Sequence, residues 1–201
     1  LAPRGTPGRL LGLLLLLPVL VVRPMGPRHG DYLFTLLDVG QGLSCVVETA
    51  RHVLVYDTGP AFPSGFNTAE AVLLPYLRSR GISRIDSLIL SNGDRDHAGG
   101  VSHLYKQMEV GETLAGEALD EIDTTACRAG RNWVWDGVSF EMLHPHPGDR
   151  FRKANDGSCV LKISGAGGFE GEDLQTSQAK IEISGAGSAT LWVTDDLETS
   201  I

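Results

Sequence analysis

Three short apolar runs each end in an acidic, glycine-bearing loop, and this pattern limits the possible folds more than any other feature of the chain. Tyr32–Leu37 leads into Asp38-Val39-Gly40-Gln41-Gly42. His52–Tyr56 leads into Asp57-Thr58-Gly59. Asp86–Leu90 leads into Ser91–Gly100, which reads SNGDRDHAGG. β-Branched and apolar runs of this length, broken by glycine, read as strands. Loops at strand ends can aim side chains at one point, so three of them predict one rim with a shared site. Taken singly, each has a plainer reading as a polar turn.

The rest of the chain fills in around that rim. Cys45–Glu48 reads as a further strand. Asn67 followed by Glu70 resembles a capping box and opens a helix to Arg80, with Gly81 as its terminator. Pro75 inside that helix should kink it or mark a new first turn. Gly100–Met108 reads as a short helix. Trp133–Leu143 reads as two strands around the turn Asp136-Gly137. Ser158–Ile163 and Thr190–Val193 are further strands. Between them lies a Gly-rich acidic stretch at about 165–179, and ISGAG occurs at 163–167 and again at 183–187. An extended hairpin is expected there. β, then α, then β again predicts an α/β (α+β) fold of mixed sheets covered by helices.

Charge narrows the partners. Residues 1–110 hold 10 Lys and Arg against 9 Asp and Glu, whereas residues 111–201 hold 7 against 16. A broad basic surface for nucleic acid is therefore absent. A phosphate-bearing substrate would need a bound metal or a local arginine cluster to offset the acidic field. Arg128, Arg131, Arg150, Arg152 and Lys153 are the one basic cluster of the acidic half.

Leu10–Val22, LLGLLLLLPVLVV, is shorter than the roughly 20 residues that a full membrane span needs. Three readings compete: a signal-peptide core, a buried helix, and the last part of a transmembrane helix. The third is adopted, because Arg23-Pro24-Met25 makes a poor cleavage site. The expected organisation is the end of a membrane segment at 1–23, a linker at 24–30 and a hydrolase-like domain at 31–201. The chain opens at Leu1 and stops after an acidic turn, which reads as a piece of a longer polypeptide.

Asp94, Asp96 and His97 carry the chemistry. Carboxylate and imidazole crowded at one strand end are ligands for zinc, manganese and similar divalent ions. The plainer alternative is a polar turn with a capping Asp. Cys45, Cys127 and Cys159 fit neither a zinc knuckle nor a CxxC pair. They read as buried hydrophobes, or as a Cys127–Cys159 disulfide if the domain lies outside the cytoplasm. His144 and His146, in LHPHP, read as a proline-fixed turn or a ligand pair. Trp133, Trp135 and Trp192 read as sheet-face residues, with a stacking platform for single-stranded bases as the sharper alternative.

In order and spacing, DVGQG, DTG, LPYLRSRGI at 74–82 and the Ser91–Gly100 loop resemble the metallo-β-lactamase-like domain of ComEC-type DNA-uptake proteins. GRNWVWDGVSFEMLHP at 130–145, NDGSCVLKI at 155–163 and LWVTDD at 191–196 continue the resemblance to the end of the chain. It implies an αββα sandwich with a metal site on one edge, its C-terminal part missing here. It also implies a membrane channel within the same polypeptide, other DNA-uptake proteins as possible partners, and a place in the bacterial inner membrane with this domain on its outer side. The activity implied is metal-assisted hydrolysis, with one or two zinc or manganese ions. The substrate implied is single-stranded DNA, cut as the strand that is not imported.

Carried over position by position, the resemblance makes Asp94, Asp96, His97 and Asp196 metal ligands. Asp96 and Asp57 become the catalytic carboxylates, with Asp57 orienting a ligand or a water. Two positions depart from the pattern. Asn92 stands where the family has His, and a neutral amide is a weak zinc ligand. Asp195 stands where the family has Gly. These departures keep two alternatives open: a non-catalytic structural or DNA-guiding module of the same membrane protein, and a hydrolase of another ester.

Overall fold

The structure, a computed structural model, describes residues 12, 26–119, 122–151, 154–170, 179–184 and 188–193. The apolar run at 10–22 lies outside them apart from Gly12, as do Asp195 and Asp196. Among the described residues no helix is long and apolar enough to cross a membrane.

Among the described residues, twelve strands form two sheets. The first has the order β10-β1-β2-β3-β4-β5-β6 and the second β11-β12-β9-β8-β7. β1 (Asp31–Leu36), β2 (Cys45–Glu48) and β3 (Val53–Tyr56) run antiparallel. β4 (Arg84–Leu90), β5 (Glu109–Ala115) and β6 (Thr125–Ala126) then add in parallel. β7 (Asn132–Trp135), β8 (Val138–His144) and β9 (Val160–Ser164) build the second sheet, which β11 (Ala179–Ser184) and β12 (Ser188–Val193) extend.

Strand alternation sorts the side chains into two cores. Cys45, Val47, Leu54, Tyr56 and Ile89 point between the sheets, where they meet Val138, Phe140, Met142, Leu161 and Ile163. Val46, Val55, Leu88 and Leu90 point the other way, onto the helices. The first sheet is thus buried on both faces, which explains its near-continuous apolar runs. Full burial of each such side chain contributes about 1.5–3 kcal/mol, so Leu88, Ile89 and Leu90 hold the end of β4 firmly just before the key loop. The arrangement supplies three layers of the expected αββα sandwich. Among the described residues, no helix covers the outer face of the second sheet.

The helix predicted over 67–80 is present in two parts. Asn67 caps it, its Oδ1 accepting the Glu70 amide at 2.8 Å and its Nδ2 donating to Glu70 Oε2 at 3.0 Å. A π-helical turn (Ala69–Leu73) leads into α1 (Leu74–Ser79). Pro75 lies in the first turn of α1 and has no N–H to offer the preceding turn, so the register changes there. Gly81, at φ 73°, ends the helix. α2 (Val101–Gln107) follows the key loop.

The two sheets are pinned together at the β7–β8 turn. Asp136 and Gly137 both take positive φ, as a two-residue turn of this type requires. The buried Asp136 carboxylate accepts hydrogen bonds from Thr49 Oγ1 (2.8 Å), Arg51 N (2.8 Å), Arg51 Nε (2.9 Å) and His52 Nδ1 (2.9 Å). Burial by itself would raise its pKa. The hydrogen bonds from His52, Arg51 and Thr49 outweigh that and hold it well below the usual carboxylate range.

One expectation changes, and one open pair of readings resolves to the disulfide. The stretch after β9 does not form one extended hairpin: at Gly165 the chain leaves the second sheet, and β10 (Ala166–Glu170) pairs in parallel with β1. The hairpin is β11–β12, closed at 184 and 188. Cys127 and Cys159 form a disulfide with Cα atoms 5.8 Å apart, and Cys45 is free and buried.

Candidate metal centre

The other two strand-end loops converge on the Ser91–Gly100 loop. Asp57 follows β3 with φ 60° and a completely buried side chain. Its Oδ1 accepts the Ser91 amide at 2.7 Å. Its Oδ2 accepts both Ser91 Oγ at 2.7 Å and His97 Nδ1 at 2.8 Å. Thr58 holds the backbone of the same histidine, its N–H and Oγ1 both donating to the His97 carbonyl (2.8 and 3.1 Å). The Gly59 carbonyl accepts from Gly100 N at 3.2 Å. Each residue of the Asp-Thr-Gly triplet therefore fixes one part of the loop.

The first loop contributes closeness rather than charge. A Cβ on Gly42, at φ 121°, would overlap the Asp96 carbonyl oxygen, to which Leu43 N donates at 3.3 Å. Only glycine lets this loop pass under Asp96. Asp38, by contrast, is exposed and accepts from Gly40 N in its own turn.

These supports leave His97 buried and oriented. With Nδ1 donating to Asp57, the neutral ring turns its Nε2 lone pair toward Asp96 Oδ2 at 3.8 Å. Burial acts to lower the His97 pKa, but the hydrogen bond and charge of Asp57, then the charges of Asp96 and Asp94, raise it above the ordinary value. Asp96 is half-buried and Asp94 is exposed.

Asn92 is occupied otherwise. Its Nδ2 donates to Asn155 Oδ1 at 2.9 Å and Ser158 Oγ at 3.2 Å, while its Oδ1 accepts the Asp94 amide at 2.9 Å. The side chain is buried and ties the loop to the start of β9. Tyr56 OH donates to the Cys159 carbonyl, and Cys159 N donates to Ser91 O at 3.0 Å, so the disulfide closes the same edge. His144 Nδ1 donates to the Ser158 carbonyl at 2.9 Å, which gives it a supporting place behind Asn92.

Sequence reasoning missed Asn155, Ser158 and Glu117. Glu117 Oε1 accepts the Gly93 amide at 2.7 Å. These residues lie 24 to 66 positions from their partners, in a polar turn and after an unpredicted strand. No local spacing signals them. The tryptophans take their plainer reading. Trp133 stacks on Phe140 with centroids 5.2 Å apart and Trp135 on His52 at 5.0 Å, both against the inter-sheet core. The side chain of Trp192 lies outside the described residues.

Residues 37–121, which hold the Asp57 and Ser91–Gly100 loops, match the model of the metallo-beta-lactamase superfamily. This part of the chain belongs to that superfamily. The match of the whole chain is to longer proteins. Competence protein ComA of Neisseria gonorrhoeae is 34% identical over 199 residues, which is 99% of this chain and 25% of that protein. Recombination protein 2 of Haemophilus influenzae is 40% identical over 129 residues, 63% of this chain and 16% of that protein. The chain thus spans a quarter or less of these relatives. The resemblance to the ComEC-type domain holds along its length. Among solved structures, a subclass B3 metallo-beta-lactamase from a soil metagenome library superposes with a TM-score of 0.47 at 16% identity, covering 71% of this chain and 59% of that one.

The superfamily generally uses divalent metal, and the donors at this metallo-beta-lactamase rim can be tested against that chemistry. Asp96 and His97 fit: a carboxylate and an imidazole lone pair face each other, and the other imidazole nitrogen is held by a carboxylate, as metal-bound histidines usually are. The Asn92 side does not fit, because both amide hydrogens and one oxygen lone pair are engaged within the protein. Among the described residues no three His, Cys, Asp or Glu side chains converge as a cage.

Proposed function

We propose that the domain is a metal-dependent phosphodiesterase that acts on single-stranded DNA in a membrane-bound DNA-uptake protein, using one divalent ion. The observation that carries this reading is the Asp57–His97–Asp96 relay. Asp57 keeps the Nδ1 proton and fixes the ring, so Nε2 is presented beside the Asp96 carboxylate. Asp96 and His97 would hold the ion, with Asp196 and the exposed Asp94 as further donors. The ion supplies Lewis-acid stabilisation of charge on phosphate oxygens and a water of lowered pKa. Manganese suits a site with more carboxylate than imidazole, and zinc remains compatible with the His97 nitrogen.

The names of the relatives supply the setting. ComA is named for competence and Recombination protein 2 for recombination. In such a protein the membrane segment at 1–23, the linker at 24–30 and a channel elsewhere in the polypeptide would deliver the strand. The Cys127–Cys159 disulfide favours the extracytoplasmic side.

A second reading is a non-catalytic module that guides DNA. It is favoured by Asn92, which holds the loop closed where a second ion's ligand would stand. Manganese- and zinc-dependent cleavage of labelled single-stranded DNA by the full chain separates the two. Cleavage that is lost in Asp96→Ala is expected. No cleavage with either metal would favour the guiding module.

A further inference from the structure

Of the five large hydrophobic side chains exposed among the described residues, three flank the Ser91–Gly100 loop: Phe62, Phe66 and Phe151, at 44%, 53% and 40% exposure. Phe62 and Phe66 sit on a short loop closed by Phe62 N to Phe66 O (2.8 Å) and Gly65 N to Phe62 O (3.0 Å), with ring centroids 5.7 Å apart. That loop is tied to the Arg95 end of the site. Ala61 N donates to Arg95 O at 3.2 Å, and Arg95 Nη2 donates to Ala61 O at 3.4 Å. Phe151 stands at the Asn92 end. Its ring lies 5.3 Å from that of His144 and packs so closely on Gly157 that a Cβ there would come within 2.8 Å of it. Gly157 precedes Ser158, which receives the Asn92 hydrogen bond.

Exposed aromatic rings are unfavourable in water, and their gathering at one rim marks a binding surface. The occupant follows from the rings and the charges beside them. The chain carries a formal −8, so phosphate contacts here rest on a few local basic side chains rather than on a broad cationic face. Among the described residues, Arg95 and Arg150 are exposed arginines at this rim, the latter next to Phe151 in sequence. A ligand held mainly by flat apolar rings, with isolated cations for single phosphates, is a strand with unpaired bases. Duplex DNA hides its base faces and offers this surface nothing to stack on.

We propose that Phe62, Phe66 and Phe151 form a stacking rim for unpaired nucleobases, with Arg95 and Arg150 contacting the adjoining phosphates. The rim selects single strands and seats the backbone beside Asp96. This rests on the proposed action on single-stranded DNA.

The test is fluorescence-anisotropy binding of oligothymidylate, an abasic oligonucleotide of equal length and a duplex to the full chain. Loss of each stacked base weakens binding about 5- to 100-fold. The Phe62→Ala/Phe66→Ala variant is expected to lose that much on oligothymidylate and nothing on the abasic strand, with Phe151→Ala behaving alike. Phe62→Trp should bind at least as tightly as the wild type, which guards against a folding defect. Tyr105→Ala, exposed away from the rim, should be silent. Unchanged affinity in the phenylalanine variants, or equal loss on the abasic strand, overturns the stacking rim alone. Failure of the wild type to bind oligothymidylate at all overturns both the rim and the single-strand reading.

Discussion

Asp57 and His97 lie 40 residues apart in the chain and meet through a 2.8 Å hydrogen bond from the imidazole Nδ1 to a carboxylate with no solvent exposure. One carboxylate thereby sets the tautomer of the ring and, through Ser91, the start of the loop that carries it. Asp57→Asn preserves the shape but removes the charge and leaves one amide oxygen to serve three donors. Metal affinity of the full chain, measured by calorimetry with manganese, is expected to fall about 10- to 100-fold. Unchanged affinity would show that His97 is not oriented by Asp57.

Gly42 tests the closeness of the first loop to the third. Gly42→Ala places a methyl group on the Asp96 carbonyl at a φ that L side chains rarely adopt. A loss of roughly 2 kcal/mol or more in urea unfolding is expected, with a loss of metal binding greater than that of a surface glycine such as Gly26.

The Asp136 turn predicts an acid limb. Its carboxyl pKa is lowered in the folded protein. Its contribution is therefore complete above the unfolded value of about 4 and is lost as pH falls below it toward the folded value. Asp136→Asn keeps a residue that tolerates the left-handed turn but removes the charge. Urea melts at pH 7 should show the variant less stable, and melts near the acid limit should show the gap narrowing. A gap independent of pH would assign the loss to geometry instead.

The disulfide closes a 32-residue separation at the edge of the site. The Cys127→Ser/Cys159→Ser variant is expected to lose about 2–4 kcal/mol of stability. Thiol labelling of the unfolded oxidised protein should find Cys45 alone. Labelling of all three cysteines would remove the cross-link.

The parts of this arrangement that could be read from sequence are local. Asn67 with Glu70, Pro75, Gly81 and Asp136-Gly137 each act within a few residues, and each does in the structure what its chemistry predicts. The Asp-Thr-Gly triplet and the Ser91–Gly100 loop were legible as strand-end loops, although their mutual contacts were not. What stayed hidden depends on distant pairing. β5 contains Gly111 and three polar or charged residues in seven and becomes a strand because β4 pairs with it. β10 is glycine-rich and is held by β1, more than 130 residues earlier. Asn92 looked like a weakened ligand. Its partners Asn155 and Ser158 come from the second sheet, and only folding turns it into a cross-link.

In the proposed site Asp96 and His97 would hold one ion, with Asn92 keeping the second position closed. The most direct measurement is manganese stoichiometry of the full chain by calorimetry and metal analysis, in the wild type and in Asp96→Ala. One ion per chain, lost in Asp96→Ala, is the predicted result. Two ions per chain, or binding that survives Asp96→Ala, would contradict it.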